Sequence, residues 1–212
     1  MRIRITFAKT GALRYIGHLD LHKLWERTSR RANLALIYSQ GFHPQPKIQL
    51  ASALPLGFAS RCELVDMWID GDVDLATLPA RLEKAVPPGL GIIKVEDVDE
   101  KSPPLQTQVT FAEYEATMFY QVDSDWLASQ ISACLQAETL PRERRGKAYD
   151  LRPLIESINI IDLDSEGNKR LSILLAAREG ATGRPEEVLD ALGIPYEETR
   201  IERCQFLFKS NQ

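Results

Sequence analysis

The chain has 212 residues, 44% of them hydrophobic and 26% charged, with a formal net charge of −4. This is an ordinary globular composition, with room for one large domain or two of about 100 residues each. No apolar run is long enough for a membrane helix, and the opening MRIRITFAKTG lacks the apolar stretch of a signal peptide, so neither a membrane anchor nor secretion is expected.

Cys62, Cys134 and Cys204 are odd in number and far apart, which points to a reduced, cytoplasmic protein without a disulfide framework. Their separation also excludes the usual cysteine set of an iron–sulfur cluster. No complete catalytic or cofactor motif occurs, and no cofactor is expected. The charge is unevenly spread. Residues 1–50 hold nine Lys/Arg against Asp20 and Glu26, a balance of +7, whereas the remainder carries −11. A basic section on an acidic body suggests a patch for an anionic partner.

Arg2–Phe7 alternates strictly and predicts a strand with Ile3, Ile5 and Phe7 inward and Arg2, Arg4 and Thr6 outward. From His18 to Ala32 the positions Leu21, Leu24, Trp25, Thr28 and Ala32 recur at helical spacing. The opposite side shows His22, Lys23, Glu26, Arg27, Arg30 and Arg31. Gly17 precedes this helix, Asp20 in its first turn suits the positive end of the helix dipole, and Asn33 closes it. Leu34–Tyr38 reads as a short extended or connecting run. Ser39–Lys47 is a stiff loop, because Pro44 and Pro46 fix their own φ and disfavour helix before them.

Ile48–Leu54 and Cys62–Ile69 predict two strands around the turn Pro55–Ser60. Asp74 is placed to cap a helix reaching about Val86, which Pro87-Pro-Gly89 stops. Leu90–Val98 predicts a further strand, and Asp99–Gln106 a polar, proline-bearing linker. The second half repeats this order. Val109–Tyr120 predicts a strand, Ser124–Gln136 a helix, and Leu154–Leu163 with Leu171–Ala177 a hairpin. Pro185–Leu192 is a short helix, and Ile201–Phe208 a closing strand. Trp25, Trp68 and Trp126 all fall in core patterns. The basic insert Pro141–Lys147 is either the tip of an extra ribbon or part of a long loop. The expected architecture is α+β: tandem ferredoxin-like (βαββαβ) halves, residues 1–100 and 107–212, packed into one body, with a basic insert near 141–152.

The stretch Arg2–Gly57, including LRYIGHLDLHKLWERTSRRANLALIYSQGFHPQPK, resembles the opening of the radical SAM-linked protein family. Arg144–Ile155, RRGKAYDLRPLI, resembles that family's second signature. Members occur as free-standing proteins and as the C-terminal part of radical SAM proteins. The resemblance implies that any radical chemistry belongs to a separate polypeptide, and that this chain recognises the substrate or holds the partner enzyme.

Four functions compete for the segment Leu13–Lys47, which holds all three histidines and six of the cations. The leading expectation is a non-catalytic RNA-binding accessory protein working with a radical SAM enzyme. Arg14, His18, Lys23, Arg27, Arg30, Arg31 and Lys47 would meet phosphate, while Tyr38 and Phe42, with Tyr15 nearby, would stack on unpaired bases. Arg142, Arg144, Arg145, Lys147 and Arg152 would extend the track. The bland reading is a solvated helix face and three core aromatics. A docking subunit without nucleic acid is the second possibility, through an exposed sheet edge. The third is metal-independent RNA cleavage, with His43 moving the 2′-hydroxyl proton while Lys47 and Tyr38 stabilise the developing charge. The last is a metal site of His18, His22 and His43. It lacks a glutamate between its helical pair and needs His43 to fold back, so no metal is expected.

Overall fold

The computed structural model describes residues 1–144, 146–178 and 180–209. The chain forms two compact units, Met1–Gln108 and Val109–Gln212. Both are mixed α+β, and every strand pairing given below is antiparallel.

In the first unit the central strand is β1 (Arg2–Lys9). It lies between β3 (Ala59–Trp68) and β4 (Leu90–Val98), and β2 (Ile48–Leu50) continues the sheet on β3. The strand order is therefore β4-β1-β3-β2. Two helices cross between strands: α1 (His18–Arg31) after β1, and α2 (Leu78–Glu83) after β3. Ile3, Ile5 and Phe7 are completely buried, as their alternation requires, and the Phe7 ring meets Trp25 of α1 edge-on at 4.8 Å.

The other face of β1 departs from expectation, because Arg2 is 1% exposed rather than solvated. It lies opposite Trp68 in β3, with its guanidinium 4.8 Å from that ring, and bonds the fully buried Asp66 through Nε at 3.0 Å and Nη2 at 2.7 Å. Arg4 donates to the same carboxylate at 2.8 and 3.0 Å. Alternation reveals that one face of a strand is polar, not whether water or protein covers it. Here protein does. Arg2 also donates to the carbonyls of Ser102 and Pro103, and Arg4 to the Gln108 side chain. The segment read as a linker thus straps this face. It ends in a short helix, α3 (Leu105–Gln108), with Leu105 fully buried.

The helix expected from Asp74 begins four residues later. Asp74 instead organises a turn, its side chain accepting from the Ala76 N–H and its carbonyl from those of Thr77 and Leu78. Pro79 in the first turn then fits the start of α2.

The second unit is centred on β5 (Val109–Met118), flanked by β9 (Arg170–Arg178) and β11 (Thr199–Phe208). The outer edge of β9 carries β8 (Ile155–Ile161) and, at its other end, β10 (Ala181–Thr182). Its main order is β11-β5-β9-β8, with α4 (Ser124–Gln136) and α5 (Pro185–Ala191) as the crossing helices. Asp123 caps α4 by accepting from the Trp126 N–H at 2.8 Å. Leu127, Ile131 and Cys134 are the buried residues of this helix. Trp126 is 39% exposed, contrary to its core pattern, because it lies at the helix start beside Gly193. The basic insert is a ribbon of β6 (Pro141–Arg144) and β7 (Lys147–Asp150). Among the described residues no helix is long and apolar enough to cross a membrane, and Cys62, Cys134 and Cys204 form no disulfide.

Removing Asp66 leaves two guanidinium groups facing one another without their shared counter-charge. Asp66→Asn should destabilise the protein by roughly 3–5 kcal/mol, read from the midpoint and slope of urea unfolding.

Candidate anion-binding groove

Helix α1 is fixed on three sides. Inward, Leu21, Trp25, Thr28 and Ser29 are buried, and the Ser29 hydroxyl donates to the Trp25 carbonyl while touching the Met67 sulfur at 3.4 Å. At its end Asn33 takes φ +54°, and the Leu34 N–H reaches back to the Ser29 carbonyl, closing the last turn. From α2, Arg81 donates to the carbonyls of Ala32 and Asn33 at 2.7 and 3.1 Å. The sequence offers no sign of that cap, since the two residues are almost fifty positions apart.

With that rotation set, Lys23, Arg27 and Arg31 fall on one line at i, i+4 and i+8, rising about 6 Å per step. They border a groove of about 480 Å³ together with Asp20 and Leu24 of the same helix. Leu13, Ile16 and Pro87 supply its apolar wall. Leu13 belongs to a 3-10 turn, Gly11–Tyr15, whose start is tied to the α2–β4 connection by the Thr10 N–H donating to the Gly89 carbonyl at 2.7 Å. Gly89 has φ +92°, and a Cβ there would stand 2.6 Å from the Thr10 carbonyl oxygen. Among the described residues Lys23, Arg27 and Arg31 enter no ion pair and no side-chain hydrogen bond. Three unsatisfied cations beside an apolar wall can take an anion that also has a hydrophobic face.

The other expected contacts are distributed differently. Arg30 is ion-paired with Glu26 one turn earlier. Arg14 donates to the Gly11 carbonyl at 3.3 Å and lies 5.5 Å from the Tyr15 ring. His18 is held below the usual imidazole range, chiefly by partial burial and next by His22, while Glu63 opposes the shift. The aromatics are not core residues: Tyr15 is 65% exposed, Tyr38 41%, and Phe42 stands wholly in solvent.

Tyr38 pairs with Pro46 at the base of the 39–47 loop, which is further closed by the Ser39 N–H to the Gln45 carbonyl and the Gln45 N–H to Ser39 Oγ. Lys47 lies just beyond that base and is near enough to Glu100 to favour its charged form. The larger influence on Glu100 is its hydrogen bond and ion pair with the N-terminal ammonium. His43 is exposed in the loop, and no hydrogen bond joins it to Tyr38 or Lys47 among the described residues. Among those residues, no three His, Cys, Asp or Glu side chains converge as a metal site.

In the second unit Arg144, Lys147 and Tyr149 border a cavity of about 680 Å³ between the ribbon and β10. Arg142 is half-buried and occupied, pairing with Asp190 at 3.3 Å and donating to the carbonyls of Pro141 and Glu187. Burial pushes the Glu187 carboxyl above its ordinary range, against the pull of Arg144 and Arg142. Arg152 caps the end of α4, donating twice to the Leu135 carbonyl. Arg145 lies outside the described residues.

These features define an α+β protein of antiparallel sheets with a cationic groove on its first long helix. Over residues 2–185 the sequence matches the family described as "Uncharacterized protein conserved in bacteria (DUF2344)", and the chain belongs to that family. No curated protein matches it significantly. Among solved structures, a chain of a Cbf5-Nop10-Gar1 complex is 11% identical with a TM-score of 0.49. That match covers 96% of this chain and 48% of the other, so the present chain spans about half its length. An unknown protein from Galdieria sulphuraria is 14% identical with a TM-score of 0.28, covering 97% of this chain and 98% of that one. The small subunit of acetolactate synthase from Thermotoga maritima is 12% identical with a TM-score of 0.28, covering 100% and 98%. At such scores these likenesses carry no weight for fold or function.

The Gly89 contact ties together the Leu13 and Pro87 sides of the groove's apolar wall. Gly89→Ala should cost about 1–3 kcal/mol through its positive φ and the clash with Thr10, seen as a lowered thermal midpoint.

Proposed function

We propose that this chain is a non-catalytic RNA-binding accessory protein that works with a radical SAM enzyme, and that its two units are ferredoxin-like repeats. The repeat assignment is supported by the same βαββαβ order and the same 4-1-3-2 antiparallel strand order in each unit, with β6, β7 and β10 as additions to the second. The observation that carries RNA binding is the row Lys23, Arg27 and Arg31, three cations without partners along one groove. Partnership with a radical SAM enzyme rests on the resemblance of the Arg2–Gly57 and Arg144–Ile155 stretches to the radical SAM-linked family.

In this reading the row follows the phosphates, and the exposed rings of Tyr15, Tyr38 and Phe42 offer faces for unpaired bases. Arg30 contributes less than its position in the sequence suggests, since Glu26 already neutralises it. Arg144, Lys147 and Tyr149 are the corresponding candidates in the second unit.

The test is fluorescence anisotropy with labelled single-stranded RNA over a range of salt concentrations. Three phosphate contacts at about −0.7 each give a slope of roughly −2 in log affinity against log salt. Arg27→Glu with Arg31→Glu should weaken binding at least about tenfold, with an unchanged circular dichroism spectrum. Affinity that ignores both salt and the double substitution would reject the assignment. Co-purification of a radical SAM protein without nucleic acid would favour the docking role instead. RNA cleaved in the presence of chelator, but left intact by His43→Ala, would replace the non-catalytic reading with the nuclease one.

A further inference from the structure

We infer that Asp20 reads the ribose 2′-hydroxyl of RNA held in the α1 groove, an inference that rests on the RNA-binding function proposed above. The groove contains one group that phosphate recognition does not call for. Asp20 lies one turn before Lys23 and Leu24 and borders the same space as the three free cations. A carboxylate beside a phosphate path repels the ligand unless it receives a proton donor from it.

Asp20 is the third residue of α1, where an acidic side chain commonly accepts from the backbone N–H of the capping residue. No such bond forms here. Among the described residues its carboxylate accepts no hydrogen bond and joins no ion pair, although its Oδ2 lies only 3.9 Å from where a Gly17 Cβ would stand. The favourable effect of its charge on the helix dipole needs only proximity to the first turn. It does not call for a carboxylate on the border of a cationic groove.

The surroundings narrow the donor. Lys23, Arg27 and Arg31 take the phosphate side of a strand, and Leu13, Ile16 and Pro87 offer an apolar surface to a sugar or base face. The donor that every RNA residue carries beside its phosphate, and DNA lacks, is the 2′-hydroxyl. Asp20 is therefore a specificity-determining residue: it accepts that hydrogen and selects ribose, while the cations supply the affinity.

Oligouridylate and oligodeoxyuridylate of equal length isolate this contact, because neither has an exocyclic amine and they differ only in the 2′-hydroxyl. Binding of each to the full chain is measured by anisotropy at one salt concentration. The unaltered protein should prefer the ribose form by about tenfold, the scale of a hydrogen bond to a charged group. Asp20→Ala should bring the ratio close to one by weakening the ribose form alone, with oligodeoxyuridylate bound as well as before or better. Asp20→Asn, which keeps one acceptor and the length of the side chain, should retain part of the preference. A role confined to the helix dipole would change both affinities together and leave the ratio intact, and that result overturns the inference while leaving RNA binding in place. Equal binding of both oligomers by the unaltered protein also overturns it. Failure to bind either one removes the underlying function as well.

Discussion

The Asp66 carboxylate, shared by Arg2 and Arg4 and sealed from water, is the constraint on which the first unit depends. Each of its two oxygens is used by an arginine on the central strand, and those arginines use remaining donors to hold the segment 102–108. A buried ion pair of this kind gains little net stability over an apolar substitute. It does discriminate strongly against other arrangements. A slip of β1 by one residue would send both guanidinium groups into the apolar layer and Ile3 and Ile5 onto the strap.

β1 thus transmits two kinds of order. Its charged face fixes which segment covers the sheet on one side. Its apolar face, through the contact between Phe7 and Trp25, fixes the rotation of α1 on the other. Once Trp25 is buried, the position of every other α1 side chain follows from the helical period. Lys23, Arg27 and Arg31 are turned outward because Trp25, Thr28 and Ser29 between them are committed to the core.

The periodic elements were legible in the sequence for that reason. Ser124–Gln136 has the expected bounds, and α1 starts at His18 as expected, because in both helices a regular apolar stripe is reinforced by local end signals. Structure created by long-range pairing was not legible. Nothing local distinguishes Arg2, buried on Asp66, from the exposed arginine that alternation implies. The same is true of Arg142 and Arg152, whose guanidinium groups serve α5 and the end of α4. Density of positive charge pointed to the segment that carries the α1 groove but overstated the number of cations left without protein partners. The aromatics Tyr15, Tyr38 and Phe42 were ambiguous for a different reason, since hydrophobic residues are found on both sides of a protein surface.

Arg81, which closes α1 from a neighbouring helix, has an electrostatic effect beyond anchoring. The carbonyl end of a helix is its negative pole and would normally repel an acidic chain lying along its length. With a guanidinium seated on the Ala32 and Asn33 carbonyls, that pole is offset beside Arg31. Arg31, the last cation of the row, therefore stands beside a helix pole that a second guanidinium has already offset.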